Sequence, residues 1–282
     1  MNFSIIVPLF NEQKNLNDLL ESLKALNYDS SLFEIIMVDN NSTDDTAEVA
    51  AGYGQILLLQ EEKRGSYAAR NKGIEYAQGR YICFTDADCL VDKNWLLEAK
   101  KALNGENEVP GLIAGKVINT EPYKNLFSRY DDLCFLKQER LVKDNGAATA
   151  NLVVKKEVFD VAGKFDDSMV TGGDMEFVQR AVHQGFTLTY NEKMIVYHKS
   201  RTSFSQVRNK LLRFWQNDRR YPGLCNKILS LGILPGVRTI NKAFRDNSLN
   251  LKEFVLLFML SFLLGVSVMG NVIKQKLLER KK

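Results

Sequence analysis

The chain has 282 residues, 45% hydrophobic and 26% charged, the balance of a packed globular protein, which excludes a disordered or collagen-like one. Lys and Arg number 38 against 34 Asp and Glu, a net charge of +4 that is too small to make the whole molecule a nucleic-acid binder. Two histidines, and four cysteines (Cys83, Cys89, Cys134, Cys225) with no CxxC pair, indicate neither a His-rich zinc centre nor a disulfide framework, so reduced thiols are expected.

Met1-Asn2-Phe3-Ser4 lacks the basic start of a secretory signal, and the apolar run Phe3–Phe10 is cut by Pro8, so the bulk of the chain is expected to stay in the cytosol. Phe3–Leu9 reads as a buried strand, and Leu16, Leu19, Leu20, Leu23 and Leu26 follow at helical spacing with Asn11 as N-cap. Phe33–Val38 is a second strand. It ends in Asp39-Asn40-Asn41-Ser42, where the spacing of Ser42 and Asp45 predicts the start of a helix. Gln55–Leu59 is a third strand, Tyr67–Ala77 a helix, and Tyr81–Thr85 a fourth strand running into Asp86-Ala87-Asp88. This alternation predicts an α/β fold with a parallel sheet covered on both faces. Further on, Trp95–Leu103 and Tyr123–Val142 read as helices, and Leu112–Ile118 and Ala147–Val154 as strands. Asp174–His183 is a helix stopped by Gly185, and Thr187–Tyr190 and Met194–His198 are the last strands.

In an open parallel sheet, ligands bind beyond the carboxyl ends of the strands. The polar residues there are Asn11 and Glu12 after strand one, Asp39 after strand two, and Asp86 and Asp88 after strand four. Carboxylates converging on one edge repel one another unless a cation or a hydroxyl-rich sugar lies between them. Hard oxygen ligands without a His/Cys cluster point to Mg²⁺ or Mn²⁺, held partly by a substrate phosphate. A helix cap or turn role accounts for Asp39 equally well. Two carboxylates one residue apart in Asp86-Ala87-Asp88 are able to face one ion.

Ile5-Ile6-Val7-Pro8 with Asn11-Glu12, Val38-Asp39-Asn40-Asn41-Ser42-Thr43-Asp44, Arg64-Gly65 through Ala69-Arg70-Asn71-Lys72-Gly73, and Thr85-Asp86-Ala87-Asp88 together resemble the family 2 glycosyltransferases of GT-A fold. The likeness continues through Thr149-Ala150-Asn151, Gly163-Lys164-Phe165-Asp166, Gly172-Gly173-Asp174 and His198, and covers about residues 1–200. The resemblance implies an inverting transfer of sugar from a nucleotide sugar, a UDP- or GDP-sugar, to an acceptor glycan or a polyprenyl- or lipid-linked acceptor.

It also implies roles. Asp39 would meet the base or ribose, with the loop from Pro8 through Asn11 to Glu12 closing over the same end, and Arg70 would lie near the base and diphosphate. Asp86 would sit by the ribose and the metal's water shell, Asp88 would ligate the metal, and His198 would help hold metal or diphosphate. Asp174 matches the catalytic base. Glu176, about 200° further round the helix, cannot face the same site and pairs with Arg180 at i,i+4. Arg64 and Lys72 are either diphosphate neighbours or a solvated basic face. Gln216-Asn217-Asp218-Arg219-Arg220 is similar to the Gln-x-x-Arg-Trp element of processive members, with Tyr221 in place of Trp, which makes Arg219 a candidate cationic lid over the diphosphate.

Phe254–Ile273 is 20 residues without a charge, 15 of them apolar, enough to reach across a hydrocarbon core at ~1.5 Å per residue. Basic residues flank it on both sides: Lys242, Arg245 and Lys252 before, and the larger cluster Lys274, Lys276, Arg280, Lys281 and Lys282 after. A single crossing would place one cluster outside, against the positive-inside bias, whereas a helix in the interface, or a re-entrant pair with Ile228–Val237, keeps both on the cytosolic side. The expected organisation is a catalytic domain over 1–200, a basic helical connection over 201–253 and a membrane-associated tail over 254–282, at the cytosolic face of the cytoplasmic membrane. A nucleotidyltransferase making nucleotide sugars is the alternative enzyme class, though Pro8-Leu9-Phe10-Asn11-Glu12 lacks its glycine-rich signature. A silent nucleotide-sugar-binding protein is a third reading.

Overall fold

A computed structural model describes residues 1–104, 110–217 and 236–279. Two compact units make up the chain: Met1–Thr120 with Lys137–Lys199, and Glu121–Leu136 with Ser200–Lys282. Arg219, the expected lid, lies outside the described residues.

The first unit is built on one mixed sheet of order β3-β2-β1-β4-β7-β6-β8-β5. Its strands are β1 Phe3–Leu9, β2 Phe33–Asp39, β3 Ile56–Gln60, β4 Tyr81–Phe84, β5 Cys89–Val91, β6 Leu112–Asn119, β7 Leu152–Lys155 and β8 Leu188–His198. Helices α1 Gln13–Lys24, α2 Thr46–Ala51, α3 Ser66–Tyr76 and α4 Trp95–Leu103 follow β1, β2, β3 and β5. The strands β3-β2-β1-β4 are parallel, as is the β6–β8 pair, while β7 runs antiparallel between β4 and β6 and β5 antiparallel beside β8. Successive strand residues face opposite sides of the sheet. Ile6, Ile36, Val38, Ile82 and Phe84 therefore pack on one face against Tyr67, Phe159 and Phe177, while Ile5, Val7 and Leu9 are buried on the other. Pro8 is tolerated because β1 pairs with β4 only as far as Ile6↔Phe84, so its missing N–H falls where the ladder has ended.

Several sequence expectations are corrected. Asn11 does not cap α1; it takes a left-handed φ of 55°, and Glu12 holds the cap position. Ser42 starts no helix: α2 begins at Thr46, and the Ser42 hydroxyl instead accepts from the Asn11 N–H at 3.0 Å. The helix expected over 123–142 breaks into α5 Leu126–Cys134 and α6 Gln138–Lys143, because Leu136 takes a φ of 53°. The two last strands are one, β8, with an irregularity opposite Gly115 and Lys116. Within 147–154, only β7 is strand, preceded by a helical turn at Thr149–Asn151.

Two further helices complete the first unit, α7 Glu157–Ala162 and α8 Gly173–His183. The second unit is helical: α5, α9 Phe204–Asn217, α10 Val237–Arg245 and α11 Leu251–Glu279. Its core joins Tyr130, Val207, Leu211 and Ile240 to Leu257, Leu260, Leu264, Val268 and Val272 of α11.

Candidate functional site

The carboxyl ends of β1, β2 and β4 lie side by side, with β1 flanked by both neighbours. At the end of β1 the chain is pinned to the loop after β2. Asn11 Oδ1 accepts from Thr43 N at 2.8 Å, and Glu12 N donates to Thr46 Oγ1 at 2.8 Å. At the end of β2, Asp39 is 4% exposed; one carboxylate oxygen accepts from Ser42 N at 3.2 Å, and the other, Oδ1, has no partner among the described residues. Buried polar atoms are almost always hydrogen-bonded, so an orphaned acceptor here suits the N–H of a base or a ribose hydroxyl. Asn40 was not expected to do more than continue the motif. Its amide donates to Glu61 O and Lys63 O, both at 2.8 Å, and accepts from Gly65 N at 2.7 Å, which fixes the start of α3 next to Asp39. Gly65 has a φ of 131°, a conformation open to glycine.

On α3, Tyr67 and Arg70 stand three residues apart and share a face. Arg70 is buried and ion-paired to the more exposed Asp86, while its Nε has no hydrogen-bond partner among the described residues. Asp88 follows in the same turn, its Oδ2 3.5 Å from Nε2 of the buried His198, because the Cys89↔His198 register of β5 and β8 places the two together. Ligand atoms of Asp86, Asp88 and Cys89 lie within 4.8 Å of one another. Burial pushes the Cys89 thiol well above its usual range, with the charges of Asp88 and Asp86 adding to the effect, so it stays a neutral thiol beside two hard carboxylates. Glu12 responds to the same field. Burial holds its carboxyl above the ordinary value; Asn15, donating at 2.7 Å, lowers it, and Asp88, Asp86 and Asp44 raise it again. The rim thus carries more negative charge than its own cations compensate, a donor set suited to a hard divalent ion.

Asp174 occupies the first turn of α8. Its Oδ1 accepts from the Tyr67 hydroxyl at 3.1 Å and from Met175 N at 3.0 Å, and its Oδ2 accepts from Thr149 N at 3.3 Å. From the sequence, Tyr67 is only the start of a helix, with no role at the site. Burial, reinforced by the Asp174 charge, keeps its phenol above the usual range, so it remains a donor. Gly173 makes this contact possible: a Cβ there would lie 2.8 Å from Tyr67 Cε2. Glu176 is engaged by Arg180 through Nε at 2.8 Å and Nη2 at 2.9 Å. Lys72 stands over the Tyr76 ring at 5.4 Å, Arg64 is exposed, and His183 is exposed near the end of α8.

The model of the glycosyl transferase family 2 matches residues 4–156, the stretch that carries the three strand ends. Glycosyltransferase AglE of Haloferax volcanii is 33% identical over 217 residues, covering 74% of this chain and 70% of that protein. The chain belongs to glycosyl transferase family 2 and is a nucleotide-sugar-dependent glycosyltransferase. A Methanococcus voltae protein named dolichyl N-acetyl-alpha-D-glucosaminyl phosphate 3-beta-D-2,3-diacetamido-2,3-dideoxy-beta-D-glucuronosyltransferase is 26% identical over 227 residues, 72% of this chain and 68% of its own. In fold, the chain is similar to mannosyltransferase PcManGT of Pyrobaculum calidifontis, solved with GDP-Man and Mn²⁺. The TM-score is 0.60 at 18% identity over 97% of this chain and 74% of that one.

Proposed function

We propose that the chain is a metal-dependent inverting glycosyltransferase moving a sugar from a UDP- or GDP-sugar to a hydroxyl of a lipid-linked acceptor at the cytosolic membrane face. The observation that carries this reading is the convergence of an unpartnered buried Asp39 oxygen with the acidic Asp86–Asp88 turn at the ends of neighbouring strands. The GDP-Man and Mn²⁺ bound by PcManGT support the donor and metal classes, and the dolichyl substrate named for the Methanococcus voltae relative supports a lipid-linked acceptor.

Asp88 and Asp86 would hold Mg²⁺ or Mn²⁺, with His198 behind Asp88. When bound, such an ion neutralises charge developing on the diphosphate as it leaves, without a proton donor. Asp39 holds the nucleoside end, with the loop from Pro8 to Glu12 beside it. Arg70 holds Asp86 in place from below and offers its remaining guanidinium edge to the phosphates. Asp174 accepts the proton of the acceptor hydroxyl as that oxygen bonds to the anomeric carbon. The bond from carbon to phosphate oxygen breaks with its electron pair on the nucleoside diphosphate, and attack from the opposite face inverts the centre. A glycosidase would need a second acid for a poor alkoxide leaving group; a diphosphate needs none.

The test is a thermal-shift panel of UDP-, GDP- and dTDP-sugars with Mn²⁺, followed by transfer assays of Asp174→Asn. Retained donor binding with turnover down ~10²–10⁴-fold is expected for loss of the base. Wild-type turnover in that variant would place the base elsewhere.

A further inference from the structure

Helix α11 is long and apolar enough to cross a membrane over Leu251–Lys274, yet 39% of its 18-residue apolar window is buried inside the protein. The buried residues form one stripe: Leu257, Leu260, Leu264, Val268 and Val272 pack on Tyr130, Val207, Leu211 and Ile240 of α5, α9 and α10. From Leu257 to Val272 the stripe runs ~23 Å at 1.5 Å per residue, most of a hydrocarbon thickness. The opposite face is equally apolar and open, with Leu256, Met259, Phe262, Leu263, Val266 and Ile273 all exposed.

Helix α10 adds charge. Arg238, Lys242 and Arg245 lie at i, i+4 and i+7 and line a shallow groove with Asn241 and Asp246, while Ile240 and Ala243 on the other side are buried. The basic row and the open apolar face are both turned away from the core that α10 and α11 share.

We propose that α11 does not span the bilayer but lies in the plane of an anionic leaflet, its open face in the acyl boundary, with Arg238, Lys242 and Arg245 on lipid phosphates. This rests on the membrane-associated reading above and adds the orientation and the lipid chemistry. Crossing would either pull α9 and α10, with their Arg and Lys side chains, into hydrocarbon or strip α11 from its partners. Lying in plane satisfies both faces of the helix at once and leaves the basic residues before and after it on one side.

The experiment uses the full chain with vesicles of phosphatidylcholine alone and of phosphatidylcholine with phosphatidylglycerol. Tight, salt-sensitive binding to the anionic vesicles is expected. The triple variant R238Q/K242Q/R245Q should weaken it about 100-fold, at roughly a few-fold per charge. M259Q/F262Q should abolish binding to both. Each variant should keep its nucleotide-sugar thermal shift, which reads the donor site separately. A tag after Lys282 should be cleaved by protease from the same side as the catalytic unit in sealed membrane vesicles. A tag on the far side overturns the in-plane orientation. Equal binding to both vesicle types overturns the lipid assignment. Absence of vesicle binding together with a dimer that M259Q/F262Q dissolves would assign the face to a second copy of the chain and overturn the proposal.

Discussion

Tyr67 joins the two ends of the site. Its hydroxyl donates to Asp174 at 3.1 Å, and the guanidinium of Arg70, paired with Asp86, stands 5.7 Å from its ring. Its ring also stacks on Phe165 at 5.6 Å, so Tyr67→Phe should keep the packing and remove only the donor. One hydrogen bond to a charged group is worth about 1.5–3 kcal/mol, so kcat should fall about 10–100-fold with donor KM unchanged; a raised donor KM would instead put Tyr67 in donor binding. Gly173→Ala attacks the same contact sterically, and overpacking should cost about 1–3 kcal/mol in urea unfolding along with the activity. Glu12 gives a pH prediction. Its carboxyl is raised above the unfolded value by burial, so the folded state binds its proton more tightly, and ionising it destabilises the fold as pH rises through that raised value. Glu12→Gln should therefore stabilise the metal-free protein at neutral pH, by less than about 1 kcal/mol for a partly exposed group. The gain should vanish at acidic pH; a difference between the melting curves that stayed constant across pH would mean that the Glu12 carboxyl is not raised in the folded state.

The irregularity between β6 and β8 decides where His198 falls. Register runs Gly115↔Asn191 and then Lys116↔Ile195, which leaves the intervening β8 residues out of the ladder. Asn151 fills that gap. Its amide donates to Lys116 O and Met194 O at 2.8 Å and accepts from Trp95 Nε1 at 2.9 Å, and no residue larger than Gly115 fits beside it. Asn151→Leu removes these three hydrogen bonds and leaves the buried Trp95 indole N–H without its acceptor, at about 1–3 kcal/mol for such a group, so the urea midpoint should fall steeply or the chain fail to fold. Asn151→Asp, which keeps the acceptor for Trp95 but sets a buried carboxylate oxygen against the Lys116 and Met194 carbonyls, should be no milder. None of this was legible in the sequence, where Thr149-Ala150-Asn151 carried only a resemblance. Strands β1, β2 and β4 were legible because each is a continuous apolar run ending in a carboxylate or amide, which also made Asp39, Asp86 and Asp88 visible. Three-residue β5 was too short to show a period. The break at Leu136 has no glycine or proline to mark it, and the Tyr67–Asp174 contact spans 107 residues.

At the scale of the whole molecule, an apolar run of this length marks a membrane segment by composition but says nothing of which face the protein itself covers. Leu263 and Leu264 are adjacent in sequence and equal in hydropathy, yet Leu263 is 56% exposed and Leu264 fully buried. If α11 were an anchor hung in lipid, the two would be interchangeable. As a core helix of the second unit, it draws stability from one side: its five buried aliphatic residues contribute about 1.5–3 kcal/mol each, of the order of a domain's net stability. Leu264→Gln should therefore lower the melting temperature of the detergent-solubilised protein by many degrees, the cost of an unpaired amide in an apolar core adding to the lost packing. Leu263→Gln should leave it within about 0.5 kcal/mol. Calorimetry on the pair, with donor-induced stabilisation recorded alongside, separates fold from anchorage: equal melting temperatures would mean that the covered face of α11 carries no structural weight.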